Sequence, residues 1–549
     1  MPMKNFQLPE QIIILPELIK WFLIASAVGI LSGIGSGILL SSLEWATNWR
    51  QAHLWIIAFL PLAGFFSGWV YHQFGKSVEA GNNLLLEEIH NSKNIIPLRM
   101  APFVLLGTDI THLFGGSAGR EGTALQIAAA LGDQISKIFQ LSSSDRRFVL
   151  MSALSGGFAS VFGTPLAGTI FGLEVLSIGI IRHNALFPCV VAAVVGNRTT
   201  LAMGLHHTAY RHAAQIPQIT PSSLISAVIA GMFFGIVAML FAQLTHLVGQ
   251  QFKTKILYPP LRPAIGGIII ALIVYASGST TFIGLGIPTI LSSFEAPLPP
   301  WDFAAKIGFT TLTLGAGFKG GEVTPLFFIG ATLGNALSSF LALPTSLLAG
   351  MGFVAVFGGA ANTPIASTLM GIELFGLDSG IFVGIACVMS YLLSGHSGIY
   401  SAQRIGAGKY QFISIKEGVT LASHSLNGLQ VFASKSNKEI NFSNEFNFWN
   451  SLKRLTVPRN SSLTVLRIYL NQILQSESLI DYLILSAQEY GIEEIVFDQV
   501  SSGFLKDDPP YIDLVASKDK LQGFIQKYQN ELKESQIVML QYEKLNSLR

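Results

Sequence analysis

Along most of the chain, apolar residues run on without the regular polar interruptions that a water-facing helix or strand shows. Four stretches, 21–43, 54–71, 224–248 and 369–393, are long and apolar enough to read as membrane spans, since a span takes about 20 apolar residues. Shorter apolar runs, cut by Gly, Pro or a charge, lie at 124–138, 148–162, 166–181, 325–341 and 347–357. They read as buried helices or as helices that enter only part of the membrane. Broken backbone at membrane depth survives only inside protein or beside a water-filled path. A channel or transporter uses such breaks; a simple anchor has no need of them.

Beyond residue 408 charged residues become frequent and long apolar runs stop. The polar segment 409–461 reads as a linker. From 462 the pattern predicts a strand at 464–470, a helix at 477–490, strands at 493–499 and 511–516, a helix at 518–533 and a strand at 537–543. The order βαββαβ is that of a small ferredoxin-like α+β domain. The expected organisation is therefore a polytopic α-helical membrane domain over 1–408, a linker over 409–461 and a soluble domain over 462–549.

Composition sharpens this picture. Only 12% of the 549 residues are charged, against about a quarter in soluble proteins, so much of the surface is expected to face lipid. The net charge of +2 and the absence of a basic run give no sign of a nucleic-acid partner. Cys189 and Cys387 both stand in apolar text and suggest neither a disulfide framework nor a metal site. The adjacent His206 and His207 have no further ligands at metal spacing and read as loop. No metal or cofactor is expected. Residues 1–16 lack the basic segment and small-residue cleavage site of a leader, so the first spans are expected to direct insertion.

The chain also repeats itself. Residues 163–176 read GTPLAGTIFGLEVL and 362–375 read NTPIASTLMGIELF; Thr, Pro, Ala, Thr, Gly and Glu coincide. Upstream, GREGTAL at 119–125 matches GGEVTPL at 320–326, with Glu121 and Glu322 201 positions apart and Pro165 and Pro364 199 apart. Two matches in one order at nearly one offset predict a duplicated membrane unit, with halves at about 20–205 and 220–405. Repeats whose discontinuous helices meet at the bilayer midplane are a transporter architecture.

The candidate chemistry lies at these repeats. GSAGREGT, residues 116–123, sets Arg120 and Glu121 among small residues that let the backbone expose its N–H groups. A helix starting near Gly122 points its positive end back at this turn and attracts anions. The carboxylate of Glu121 can fill that site; protonated, it is neutral and can leave. One residue then links proton occupancy to anion occupancy, unless Arg120 and Glu121 are simply a buried ion pair. GGEVTP, residues 320–325, repeats the device: Glu322 is either a second functional carboxylate or a cap, Thr324 offers a hydroxyl, and Pro325 suits the first helical position. GNN, at Gly81 to Asn83, reads as a helix cap or turn, and Tyr400 as an interfacial aromatic.

At these residues the chain resembles the CLC family of chloride channels and antiporters. GSAGREG matches the family signature, and the resemblance implies that Glu121 is the external gating glutamate. GEVTP stands where the family has its GxFxP segment, GNN stands in place of its Gly-Ser-Gly-Ile-Pro segment, and Tyr400 falls at its central anion-coordinating tyrosine. The resemblance covers roughly 21–408. It implies a homodimer with an anion path in each subunit, two inverted halves, and cytoplasmic termini in a bacterial plasma membrane. Its implied anion site comprises Gly81, Asn82, Gly119, Arg120, Gly122, Thr123, Val323, Thr324 and Tyr400.

The departures from the chloride pattern are Thr123 for the usual proline, Asn82 for the chloride-binding serine, Glu322 and Thr324 in the GxFxP segment, and Val175 where chloride antiporters carry an internal proton glutamate. Together they resemble the fluoride branch, the bacterial fluoride/proton antiporters. An Asn amide brings two N–H donors where serine brings one O–H, which suits a small, tightly hydrated anion. Glu121, with Glu322, would then carry protons. The alternatives on the same fold are a chloride/proton antiporter and a passive chloride channel; a further one is a membrane-anchored sensor. No P-loop, nucleophile elbow or HExxH is present, so no enzyme is expected. The C-terminal region resembles PII-like domains, as a small-molecule sensor or as a passive aid to assembly.

Overall fold

The computed structural model describes residues 10–210, 216–410, 417–424, 463–469, 494–498, 511–517, 521, 526–527 and 536–541. The chain divides into two compact units, Met1–Lys435 and Ser436–Arg549.

Among the described residues sixteen α-helices build the first unit. The first eight are α1 (Glu10–Ala52), α2 (Leu60–Phe74), α3 (Asn82–His90), α4 (Met100–Leu113), α5 (Glu121–Ile138), α6 (Ser143–Phe162), α7 (Pro165–Glu174) and α8 (Leu186–Ala202). The second eight are α9 (Pro221–Lys255), α10 (Leu261–Ser277), α11 (Ile287–Ser292), α12 (Asp302–Gly315), α13 (Val323–Leu337), α14 (Thr345–Ala361), α15 (Pro364–Phe375) and α16 (Gly380–Leu393). Each helix of the first half has its counterpart eight places on. The long helices α1 and α9 pack on α8 and α16 respectively, α5 and α13 pack on α6 and α14, and α7 packs on α15. Both α1 and α9 exceed the length a bilayer requires, so they can cross it tilted.

The matched Thr-Pro and Glu residues of the repeat now have a physical meaning. The prolines at 165 and 364 open α7 and α15, where a missing N–H costs nothing. The next two N–H groups of each helix are bound by the carboxylate that ends the other. Leu166 N and Ala167 N donate to Glu373 at 3.0 and 2.9 Å, and Ile365 N and Ala366 N donate to Glu174 at 3.1 and 2.8 Å. Each negative charge thereby satisfies orphan donors at a positive helix end, and the two helices lie antiparallel.

The apolar run 369–393 is not one span. It is divided between α15 and α16 at Gly376, whose φ of +95° and ψ of 157° only glycine adopts readily. Hydropathy registers the apolar content and misses the single backbone torsion that turns the chain. Pro325 also departs from its expected place: α13 starts at Val323, leaving the proline inside its first turn. That position is tolerated because the first four helical N–H groups lack intrahelical partners.

Helices α13 and α14 approach so closely that a Cβ built on Gly330 would strike the carbonyl of Gly352, and one on Gly352 would strike that of Gly330. Overpacking of a dense interior typically costs about 1–3 kcal/mol, and here the obstacle is backbone that cannot rotate away. Gly352→Leu is expected to abolish the monodisperse peak of detergent-extracted protein in size-exclusion chromatography; a wild-type profile would show that the helices can part.

On the side of the membrane where α6 begins, Arg146 binds two buried acids. Its Nε and Nη2 each donate to Asp133 at 2.8 Å, and its Nη1 donates to Glu88 at 3.0 Å. Nη2 also donates to Asn94 O at 2.6 Å. Glu88 further accepts from Lys93 N and Asn94 N, and Asp133 from Ile96 N. The cluster ties α3, α5 and α6 together. A two-residue strand β1 (Ser177–Ile178) pairs in parallel with β2 (Arg404–Ile405), and Arg404 also bridges to Thr420.

In the second unit four strands are described, β3 (Leu463–Tyr469), β4 (Glu494–Asp498), β5 (Tyr511–Ser517) and β6 (Gln536–Gln541). They fall within two residues of the ends predicted from the sequence. They form one sheet in the order β4-β5-β3-β6 with every pair antiparallel. The expected helix at 477–490 and loop at 500–510 lie outside the described residues. So does all but 521 and 526–527 of the expected helix at 518–533, and most of the linker.

Candidate functional site

Two glycine-rich turns, one from each half, meet inside the membrane unit. Gly119 N donates to Gly321 O at 2.6 Å and Gly321 N to Gly119 O at 2.8 Å, an antiparallel bridge. Only residues without a Cβ come this close: one built on Gly122 would lie 2.7 Å from Asn82 Nδ2, and one on Gly321 would lie 2.8 Å from Gly122 N. The bridge places the start of α5 beside the start of α13, and Asn82 brings the start of α3 to the same point. Three positive helix ends converge there.

Glu121 fills this junction. Its side chain is 1% exposed. Oε2 accepts from Arg120 N and from Thr324 N, both at 3.1 Å, and Oε1 accepts from the Thr324 hydroxyl. The Arg120 guanidinium stands 3.7 Å from Oε1. The carboxylate therefore occupies a ring of donors that would serve a small anion equally well. It is held across 203 residues of sequence by the opposite half.

Around it, polar atoms lack partners. Asn82 Oδ1, Glu322 Oε2 and the Tyr400 hydroxyl are buried without a hydrogen bond among the described residues. Native proteins leave few such atoms, and these are the groups that an ion, a water or a proton in this junction would meet. Val323 is buried in the first turn of α13, and Gly81 takes a φ of +58° to start α3 at Asn82.

Of the residues singled out from the sequence, Glu121, Arg120, Gly119, Gly122, Asn82 and Thr324 form one cluster. Thr123 is fully buried, and its hydroxyl pairs with Thr108 on α4 at 2.7 Å. His207 belongs to packing: its ring covers Gly163 and bonds to Val161 O and Asn197 Oδ1 at 3.2 and 3.0 Å. Among the described residues no group of three or more His, Cys, Asp or Glu could hold a metal.

Apart from Asn83, read only as part of a cap or turn, the residues that hold the Tyr400 loop were not singled out from the sequence. Asn83 Oδ1 accepts from Ala402 N at 3.0 Å. Gln403 Nε2 donates to Val175 O and Ala361 O at 2.8 and 3.1 Å, and Asn362 Nδ2 donates to Gln403 Oε1 and Ser397 O at 2.9 and 3.0 Å. His246 bonds to Gly398 O at 2.9 Å. Their only signal was polar side chains in apolar text. Arg50 and Lys306 were also missed. Arg50 Nη1 donates to His112 O, and Lys306 Nζ to Phe282 O and Gly284 O at 3.1 and 2.8 Å, so both fix the loops behind the Gly116 turn.

A family model described as "Voltage gated chloride channel" matches residues 63–395. A relative named "Chloride/fluoride channel protein", from Pseudomonas syringae pv. tomato, is 53% identical over 414 residues, covering 74% of this chain and 91% of that one. A solved structure described as "Crystal structure of a CLC-type fluoride/proton antiporter" superposes with a TM-score of 0.69 at 34% identity, covering 70% of this chain and 98% of that one. A "slow cyanobacterial Cl-/H+ antiporter" superposes with a TM-score of 0.60 at 17% identity, a likeness of fold alone.

Proposed function

The chain belongs to the voltage-gated chloride channel (CLC) family, membrane proteins that are channels or transporters and not enzymes, and within that family we propose that it exports fluoride in exchange for inward-moving protons. The observation that carries the reading is the carboxylate of Glu121 seated in the donor ring of Arg120 N, Thr324 N and the Thr324 hydroxyl. While ionised it competes with the anion. When it takes a proton it loses its charge and withdraws, and the freed donors bind the anion. Return of the carboxylate expels the anion and releases the proton. Glu322, with an unpartnered carboxylate oxygen on the other side of the bridge, is the second proton-carrying group. It takes over the task that Val175 cannot perform.

Fluoride is favoured by Asn82, whose amide carries two donors, and by the names of the relative and the solved structure. Purified protein in liposomes is expected to release fluoride much faster than chloride while the outside solution gains alkalinity. Equal rates for the two anions would overturn the fluoride assignment and leave a chloride transporter. Asn82→Ser is expected to lower the fluoride-over-chloride ratio of efflux rates about tenfold, roughly 1.4 kcal/mol, the scale of one hydrogen bond to a charged group. An unchanged ratio would remove Asn82 from the selectivity site.

The distribution of cations supports cytoplasmic termini. Lys20 pairs with Asp145 at 3.0 Å, so the first turns of α1 and the start of α6 share one side. Following the helices from there, Lys76, Arg99, Lys137, Arg147, Lys253 and Arg404 fall on that side, and Arg50 and Arg198 on the other. The positive side is the cytoplasmic one, here of a bacterial plasma membrane. Exposed Leu166, Ile365 and Ile381 on α7, α15 and α16 suit a homodimer contact. The strand order of the second unit supports a ferredoxin-like, PII-like domain, with a small ligand as its regulator.

A further inference from the structure

A cavity of about 90 Å³ opens beside the start of α6, lined by Ile89, Ser144, Arg147, Phe148, Met151, Arg182 and Asn184. Its two halves differ in chemistry. Arg147, Arg182, Asn184 and Ser144 supply donors, and Ile89, Phe148 and Met151 make an apolar wall. Among the described residues no carboxylate comes within ion-pairing distance of Arg147 or Arg182; the nearby acids Glu88, Asp133 and Asp145 are held by Arg146 and Lys20. Arg147 Nη2 donates to His90 O at 3.2 Å, while its Nε is buried with no partner. The neighbouring Asp145 is already engaged by Lys20. Two arginines thus share a small cavity with an unspent donor and no counter-charge.

We propose that this cavity binds the phosphate of an anionic phospholipid headgroup. The volume has room for several waters, which suits a phosphate group and leaves the acyl chains outside. An apolar path is available to them: Leu186, Phe187 and Val190 follow Asn184 on the outer face of α8 and are 40%, 40% and 37% exposed. A guanidinium matches phosphate oxygens in a two-pronged geometry, and basic pockets at the cytoplasmic ends of membrane helices are suited to such headgroups.

The site is connected to transport. Arg147 binds the last residue of α3, whose first residue is Asn82. Arg182 follows β1, which pairs with β2 just after Tyr400. A headgroup bound to both arginines joins the supports of two anion-site residues. This inference does not depend on which anion is carried.

The test uses the full chain extracted from vesicles of phosphatidylglycerol or of phosphatidylcholine, with native mass spectrometry counting retained lipid. The wild type is expected to retain phosphatidylglycerol and not phosphatidylcholine. An arginine near a headgroup contributes on the order of fivefold in binding, so Arg182→Gln, an exposed change, is expected to lower retention about fivefold, and the Arg147→Gln/Arg182→Gln pair further. Equal retention of the two lipids by the wild type, or undiminished phosphatidylglycerol on a folded Arg182→Gln protein, would overturn the proposal. Thermal protection by millimolar inorganic phosphate, lost in Arg182→Gln and unaccompanied by lipid retention, would assign the cavity to free phosphate and also overturn it.

Discussion

Glu121→Gln is expected to separate anion movement from proton movement. In liposomes, proton uptake coupled to fluoride efflux should fall by roughly two orders of magnitude, because an amide has no carboxylate to protonate. The shape of the side chain is kept, and an amide oxygen can still accept from Thr324 N, so the protein is expected to remain folded with a wild-type size-exclusion profile. Whatever fluoride efflux remains should no longer alkalinise the outside. Protons that still move with the anion would mean that the carboxylate is a cap fixed between two glycine-rich turns, and that Glu322 or another group carries the exchange. The expected effect is large because the same side chain fills the donor ring and, in the proposed exchange, also carries the proton.

Arg146→Ala is expected to cost more stability than any other single charge removed from this unit. Breaking a buried pair typically costs about 3–5 kcal/mol, because an uncompensated charge is left behind. Here two carboxylates, Glu88 and Asp133, lose the same guanidinium at once. Backbone N–H groups of Lys93, Asn94 and Ile96 still bind those acids, which softens the loss without neutralising it. The expected result is a marked fall in the temperature at which detergent-solubilised protein loses its monodisperse peak. Arg146→Lys should recover only part of the fall, since one ammonium cannot reproduce a fork that reaches Asp133, Glu88 and Asn94 O together. A melting temperature equal to wild type in Arg146→Ala would show that the acids are protonated or hydrated in place. The cluster holds α3, so the same variant should also disturb the anion preference proposed for Asn82.

Much of the site was legible because its residues depart from their surroundings. A Glu flanked by glycines in apolar text is conspicuous, and Glu121 and Glu322 were both found that way. Thr324 was found as a hydroxyl beside Glu322, yet its role as the clamp on Glu121 lay 203 positions from the group it holds. Gln403, Asn362 and Asn83 fix the Tyr400 loop through backbone atoms, and a backbone atom carries no signature in the sequence. Thr123 adds a further case. Its place in the motif suggested the anion, and the fold supplies a partner that no motif shows, the Thr108 hydroxyl on the preceding helix.

The sequence by itself determined that the protein is a duplicated membrane protein with a second, αβ-patterned region. Hydropathy is summed over local windows, and a repeat is a comparison of text with text, so neither needs coordinates. It also determined which carboxylates are out of place in lipid. Only the tertiary structure decided that α15 and α16 are separate, because that depends on one torsion at Gly376. It alone paired Glu174 with the start of α15 and Glu373 with the start of α7. It alone brought the two glycine turns within hydrogen-bonding distance. These contacts join segments about 200 residues apart in antiparallel orientation. Inversion of one half against the other creates them, and no local preference of the chain encodes which donor will meet which acid.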